Sequence, residues 1–120
     1  MVEDEPAIIK MGQTMLKKLG YNVLIAHAPD EAVILASEHS GKIHILITDV
    51  IMPEMSGRDL ADKLRAIRPD IRVLFMSGYT ANVIAHHGVL DNGEHFMQKP
   101  FSMKKLSVKV REALEGAKSS

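Results

Sequence analysis

Four places in the 120-residue chain gather side chains able to do chemistry: the acids Glu3, Asp4 and Glu5, the single acid Asp49, the hydroxyl of Ser77, and the ammonium of Lys99. Asp49, Ser77 and Lys99 each stand directly after an apolar or partly apolar run, and the three acids follow the short apolar start Met1-Val2. Carboxylates at the ends of neighbouring strands, about 4.8 Å apart, can share one small hard cation, and Mg²⁺ takes one or two carboxylates together with waters and phosphate oxygens. Glu3, Asp4 and Asp49 suit such a site. Three like charges that close repel by several kcal/mol when partly buried, and a divalent cation or a lysine such as Lys99 relieves them. If Asp49 attacks a phosphoryl group, the negative charge on both reactants must be neutralised. Mg²⁺, Lys99, the Ser77 hydroxyl and N–H groups near Val50, Ile51 and Gly78 are placed to do that.

These residues need a scaffold that brings four strand ends to one edge. Ile43 to Thr48 and Arg72 to Met76 are nearly continuous apolar runs, the pattern of strands buried on both faces of a parallel sheet, and Val23 to Ala26 is a third. His95 to Gln98 is a weaker fifth strand. Between them run helical periodicities. Ile8, Met11, Met15, Leu16 and Leu19 share a face that ends at Gly20. Ala32, Leu35 and Ala36 follow Pro29 at a first turn. Leu60, Leu64 and Ile67 follow Ser56, with Asp59 as its capping-box partner, and stop before Pro69. Thr80 to Leu90 reads as a weaker helix, followed by the turn Asp91-Asn92-Gly93. Met103, Leu106, Val110 and Leu114 mark the last helix, capped by Ser102. Strands and helices alternating in this way predict an open α/β layer with helices on both faces, whose sites lie at the carboxyl ends of the strands. Residues 1–116 form one domain and 117–120 a flexible tail.

Composition bounds the rest. With 46% apolar residues and no Cys, the chain can bury a core but can have neither disulfides nor thiolate metal sites. Its net charge of zero argues against direct binding to nucleic acid. That sum hides an asymmetry: residues 1–98 hold 9 basic and 13 acidic side chains, and residues 99–120 hold 6 basic and 2 acidic. No apolar run approaches the length of a membrane span and the first residues lack the order of a signal peptide, so a cytoplasmic location without membrane contact is expected.

The sequence resembles the receiver domains of two-component response regulators along essentially its whole length. The matching pieces are Val2 to Pro6, Thr48 to Gly57, Phe75 to Tyr79 and Gln98 to Phe101, in order and at the family's spacings. The resemblance implies a flavodoxin-like fold, a five-stranded parallel sheet in the order 2-1-3-4-5. It implies that Asp49 accepts a phosphoryl group from a histidine of a sensor kinase or a phosphotransfer domain. Asp4 would bind Mg²⁺ (or Mn²⁺) directly, Glu3 would assist, and the backbone carbonyl of Ile51 would be a further ligand. Ser77 corresponds to the hydroxyl that turns toward the phosphoryl group, Lys99 to the lysine that pairs with it, and Phe96 to the aromatic switch. Lys99-Pro100 is expected to be cis. In the family the residues two beyond the phosphoacceptor and two beyond the hydroxyl tune phosphoryl lifetime. Here these are Ile51 and Tyr79, too apolar and bulky to orient water, so slow self-hydrolysis is expected.

Leu74 to Thr80 and His86 to Leu90 resemble more narrowly the carboxyl-terminal receivers of hybrid sensor histidine kinases. The length leaves no room for an output domain, so a response passes through a downstream protein partner or a parent chain, with a homodimer on phosphorylation as another route. One departure stands out. Only two residues precede Glu3, against about 5–6 in an ordinary strand, so the first strand is expected to be cut short.

Each of these residues also has a plainer reading. Glu3-Asp4-Glu5 alone would be a solvated helix start, and Asp49 alone a turn acid; it is their company with Ser77 and Lys99 that favours a site. Met11, Met15, Met52, Met55, Met76, Met97 and Met103 read as core filler and the six histidines as surface residues without ligand spacing. Two other functions compete: a receiver-like module that binds a protein partner without carrying phosphate, and a small α/β enzyme or flavin carrier. The complete acidic set counts against the first. The missing Gly-rich phosphate loop and the scarcity of aromatics count against the second.

Overall fold

The structure, a computed structural model, describes residues 1–78 and 94–116. Tyr79, the expected helix from Thr80 to Leu90 with His86 and His87, the turn at 91–93 and the tail at 117–120 lie outside the described residues. Among the described residues four helices and three strands follow in order: α1 (Pro6–Lys18), α2 (Pro29–Glu38), β1 (Ile45–Asp49), α3 (Gly57–Ile67), β2 (Arg72–Ser77), β3 (Phe96–Gln98) and α4 (Met103–Glu115).

The three strands form a parallel sheet in the order β1-β2-β3. Ile45 lies opposite Arg72 and Asp49 opposite Met76, and Phe75 to Ser77 lie opposite Phe96 to Gln98. The two further strands expected from the sequence are reduced to single parallel bridges, Val2 to Ala26 on one side and Val2 to Thr48 on the other. The lateral order is nevertheless that of a flavodoxin-like receiver: segment 21–26, Val2, β1, β2, β3. Val2 makes one bridge on each side, and beside it Met1 N donates to Leu24 O at 2.8 Å. β3 ends where Pro100, which has no N–H, stops the ladder after Lys99 has donated to the Ser77 carbonyl at 2.7 Å.

The period-2 alternation of buried strands splits the core into two layers. Leu46, Val50, Val73 and Phe75 face α2 and α3, together with Ala32, Ala36, Leu60, Ala61 and Leu64. Ile47, Leu74, Met76 and Met97 face α1 and α4, together with Leu16, Leu106, Val110 and Ala113. Both serines cap as read: Ser56 Oγ accepts from Asp59 N at 3.1 Å and Ser102 Oγ from Lys105 N at 3.1 Å. Pro29 opens α2, and Gly20, with φ of 93°, follows the end of α1.

Several sequence expectations need correction. Ile67, placed on the apolar face of α3, is exposed: it is the last residue of the helix, past the buried Leu60, Ala61 and Leu64. Met103, read as core filler, is also exposed: it starts α4, one turn before the seam of Leu106, Val110 and Ala113. Conversely His39 and His95, read as surface histidines, are half-buried, His39 beside the end of α2 and His95 directly before β3.

One long-range clasp was not legible. Arg68, just past α3, donates from Nε to Ala36 O at 2.9 Å, from Nη1 to Gly41 O at 2.7 Å and from Nη2 to His39 O at 2.5 Å. It satisfies carbonyls at and beyond the end of α2 and ties that helix to α3. Nearby, at the amino end of the sheet, a cleft of about 910 Å³ opens between segment 21–26 and β1, lined among others by Val23, Leu24, Ile43 and Ile45. Among the described residues no helix is long and apolar enough to cross a membrane.

Candidate functional site

Ladder bonds carry the reactive residues to one edge. Val2 N donates to Ile47 O at 2.7 Å and Glu3 N to Ala26 O at 3.2 Å, which sets Glu3 beside the end of β1. Val50 N donates to Met76 O at 2.9 Å, which sets Asp49 beside the end of β2, where Ser77 is the last residue. The bond from Lys99 N to Ser77 O completes the row. Glu3, Asp4, Asp49, Ser77 and Lys99, five residues spread over 97 positions, therefore meet at the carboxyl end of the sheet, as the topology rule requires.

Their burial is uneven. Glu3 is 1% exposed, Asp49 6% and Ser77 5%, while Asp4 lies in solvent. Buried carboxylates need partners, and one ammonium serves both: Lys99 Nζ is 3.0 Å from Glu3 Oε2 and 2.8 Å from Asp49 Oδ1. The other oxygen of Glu3 accepts from Glu5 N at 3.2 Å. Burial works to lower the pKa of Lys99, but the hydrogen bonds and charges of Asp49 and Glu3 outweigh it, so the pKa rises above the ordinary value of 10.5. The ammonium stays charged at any physiological pH.

One carboxylate oxygen from each of Glu3, Asp4 and Asp49 lies within 4.8 Å of the others. The donor set is all oxygen, as a hard cation such as Mg²⁺ prefers. Three carboxylates against one ammonium also leave net negative charge for a dication to neutralise. The residues present fit such an ion. Both oxygens of Glu3 are already engaged, and Asp4 lies on the solvent side.

The remaining expected residues are spread around this cluster. Ile51 belongs to the loop between β1 and α3, its side chain 57% exposed. Phe96 opens β3 opposite Phe75, half-buried and packed against the α2–α3 layer of the core. The Lys99-Pro100 peptide is cis. Tyr79 lies outside the described residues. The sequence reading gave no separate role to Thr48 or Gly57, which both touch the main chain of Asp49. A hydroxyl as the one polar group inside an apolar run, and a glycine directly after a helix cap, were the available signals.

The family model of the response regulator receiver domain matches residues 1–111. The chain is 40% identical over 115 residues to the sensor kinase CckA of Brucella abortus, a match that takes in 96% of this chain and 12% of that protein. It is 30% identical over 114 residues to the probable transcriptional regulatory protein TcrX of Mycobacterium tuberculosis, covering 95% of this chain and 48% of that one. The chain thus spans half or less of the length of these curated relatives. Among solved structures, the receiver domain of the hybrid histidine kinase CckA superposes with a TM-score of 0.77 at 37% identity, covering 94% of each chain.

Proposed function

Because the chain belongs to the response regulator receiver domain family of two-component systems, we propose that its residues 1–116 act as a phosphoacceptor, with Asp49 taking a phosphoryl group from a histidine of a sensor kinase or a phosphotransfer domain. The observation that carries this reading is the Lys99 ammonium shared between Glu3 and Asp49 at the ends of three aligned strands, with Ser77 buried in the same row. A cluster made only for stability would rarely bury two carboxylates around one lysine, since apolar packing is as good or better.

In the proposed transfer a carboxylate oxygen of Asp49 attacks phosphorus in line with the departing imidazole. The O–P bond forms as the N–P bond breaks, and that bond's electron pair stays on the ring nitrogen, leaving an acyl phosphate on Asp49. Asp4, Asp49 and the Ile51 carbonyl, with Glu3 behind them, would hold Mg²⁺ (or Mn²⁺), which supplies charge neutralisation between nucleophile and phosphate. Lys99 exchanges its Asp49 oxygen for a phosphoryl oxygen, and the Ser77 hydroxyl donates to another. Phe96, on the strand next to Ser77, follows that movement and alters the surface offered to a downstream protein partner or a second copy of the chain. Ile51 and Tyr79, apolar and bulky, do not readily orient an attacking water, so the acyl phosphate is long-lived. The likeness to the receiver of a hybrid histidine kinase supports a kinase setting, for which a cytoplasmic location is the natural one.

Intact mass after exposure to acetyl phosphate and Mg²⁺ tests the reading. One base-labile phosphoryl adduct is expected, absent from Asp49→Ala. An adduct that survives that substitution, or none in the wild type, rejects it in favour of a module that binds partners without phosphate.

A further inference from the structure

The Asp49–Val50 peptide is held from both sides. Its N–H, that of Val50, donates to Met76 O at 2.9 Å. Its carbonyl, that of Asp49, accepts from Thr48 Oγ1 at 3.1 Å, and Thr48 is completely buried. The same hydroxyl lies 3.8 Å from Met52 Sδ in the following loop. Gly57 closes the loop over this peptide: its N–H donates to the carbonyl of the next one, Val50 O, at 2.7 Å, and a Cβ placed on it would sit 2.0 Å from Asp49 O and 2.9 Å from Asp49 C. Such a contact is far inside van der Waals distance, and the opposing atoms are main chain, with no side-chain end to swing away. By contrast, a Cβ on Gly12, the buried glycine of α1, would press only on the flexible end of Met1 and touch Phe101 at an ordinary 4.0 Å.

A hydroxyl buried in an apolar layer has an obvious bland role, satisfying itself on the nearest carbonyl. Its placement here does more, because the carbonyl it grips belongs to the residue whose carboxylate must point at phosphorus, and rotating that peptide would swing both the Asp49 side chain and the loop that carries the Ile51 carbonyl. We propose that Thr48 and Gly57 are positioning residues for Asp49: Thr48 holds its main-chain carbonyl, Gly57 leaves that carbonyl room and ties down the following one, and together they set the aim of the carboxylate and the placing of the metal-binding loop. The proposal rests on the phosphoacceptor reading above. Misplacing a reacting group by about 1 Å costs up to about 100-fold in rate, and loosening a supporting contact costs about tenfold or more in metal affinity.

Two substitutions at one position separate packing from positioning. Thr48→Val keeps shape and loses the hydroxyl; Thr48→Ser keeps the hydroxyl and loses a methyl group. Thr48→Val is expected to slow phosphoryl uptake from saturating acetyl phosphate about tenfold with the half-saturating donor concentration unchanged, and to weaken Mg²⁺ binding by calorimetry about tenfold. Thr48→Ser is expected to stay within about twofold of wild type in both, although it melts earlier. Gly57→Ala should resemble Thr48→Val or fail to fold, while Gly12→Ala should keep its Mg²⁺ affinity. Wild-type behaviour in Thr48→Val, or losses in both Thr48 variants that track their melting temperatures, would overturn the positioning role. If the wild type takes up no phosphoryl group, the function falls, and the Mg²⁺ titrations alone decide the positioning role.

Discussion

The two ends of the sheet are built on opposite plans. At the carboxyl end, charged and polar groups are buried and fixed one to another: Glu3, Asp49 and Lys99 within 3.0 Å contacts, Ser77 beside them, and ladder bonds running to the last residue of each strand. At the amino end the side chains around the cleft are mostly apolar, the space between segment 21–26 and β1 is open, and the polar clasp is Arg68 on three carbonyls. The difference separates two jobs. Charges brought together against their own repulsion serve chemistry at some cost to stability, whereas the helix clasp at the far end serves stability and touches no chemistry.

Breaking one end should therefore leave the other's property intact. The largest effect is expected from Lys99→Met. It leaves Glu3 and Asp49 buried against each other and should cost about 3 kcal/mol of unfolding free energy in metal-free buffer, with much of the loss restored by Mg²⁺. Denaturant titrations with and without the ion measure this, and a loss that Mg²⁺ does not touch would mean that the lysine was not holding a metal site's charge. Next comes Arg68→Met, expected to cost about 2 kcal/mol through three lost carbonyl bonds while the rate of phosphoryl uptake at 25 °C stays within twofold, roughly. A change in uptake would show the two ends to be coupled. Ile51→Asn, which places a polar group where water must approach, should speed loss of the phosphoryl group about tenfold, or about 1.4 kcal/mol of barrier, with no change in melting. Slower loss would contradict the assignment of Ile51 to phosphoryl lifetime.

The smallest effect is in the pH profile. The pKa of Lys99 is raised on folding, so the stability it contributes is fully present below 10.5 and is lost only as pH rises above that value through the folded pKa. Between pH 7 and 9 the wild type and Lys99→Met should therefore differ by a constant amount, and the gap should narrow only in the alkaline range. A gap that closes near neutrality would show that the ammonium is not held by the two carboxylates.

What the sequence revealed follows from how local each signal is. Ser56, Ser102, Pro29 and Gly20 mark helix ends because a cap or a turn is settled within four residues. The site was legible for a related reason: in an α/β layer the residue after each buried strand is delivered to the same edge, so Asp49, Ser77 and Lys99 needed only their strands to be recognised. Arg68 was not legible. It sits before Pro69 as an ordinary helix-end cation, and its targets, Ala36, His39 and Gly41, lie some 30 positions earlier, where only the packed fold brings them within reach. Thr48 was similarly hidden, because an apolar run shows that a position is buried but not which neighbour its hydroxyl will meet. The cut-short first strand was expected from the two residues before Glu3; that segment 21–26, with the composition of a strand at Val23 to Ala26, would bridge only through Val2 was not.

That residue, Val2, couples segment 21–26 to β1. Segment 21–26 lies against Met1 to Glu3, with bonds from Met1 N to Leu24 O, from Ala26 N to Met1 O and from Glu3 N to Ala26 O, and Val2 N bonds onward to Ile47 O. Shear between segment 21–26 and β1 is transmitted through those bonds. The residue next to them is Glu3, one of the two carboxylates that hold Lys99 in place. Strain applied at that seam is therefore delivered first to the charge balance of the site, as load on a keystone is felt first by the stones it touches.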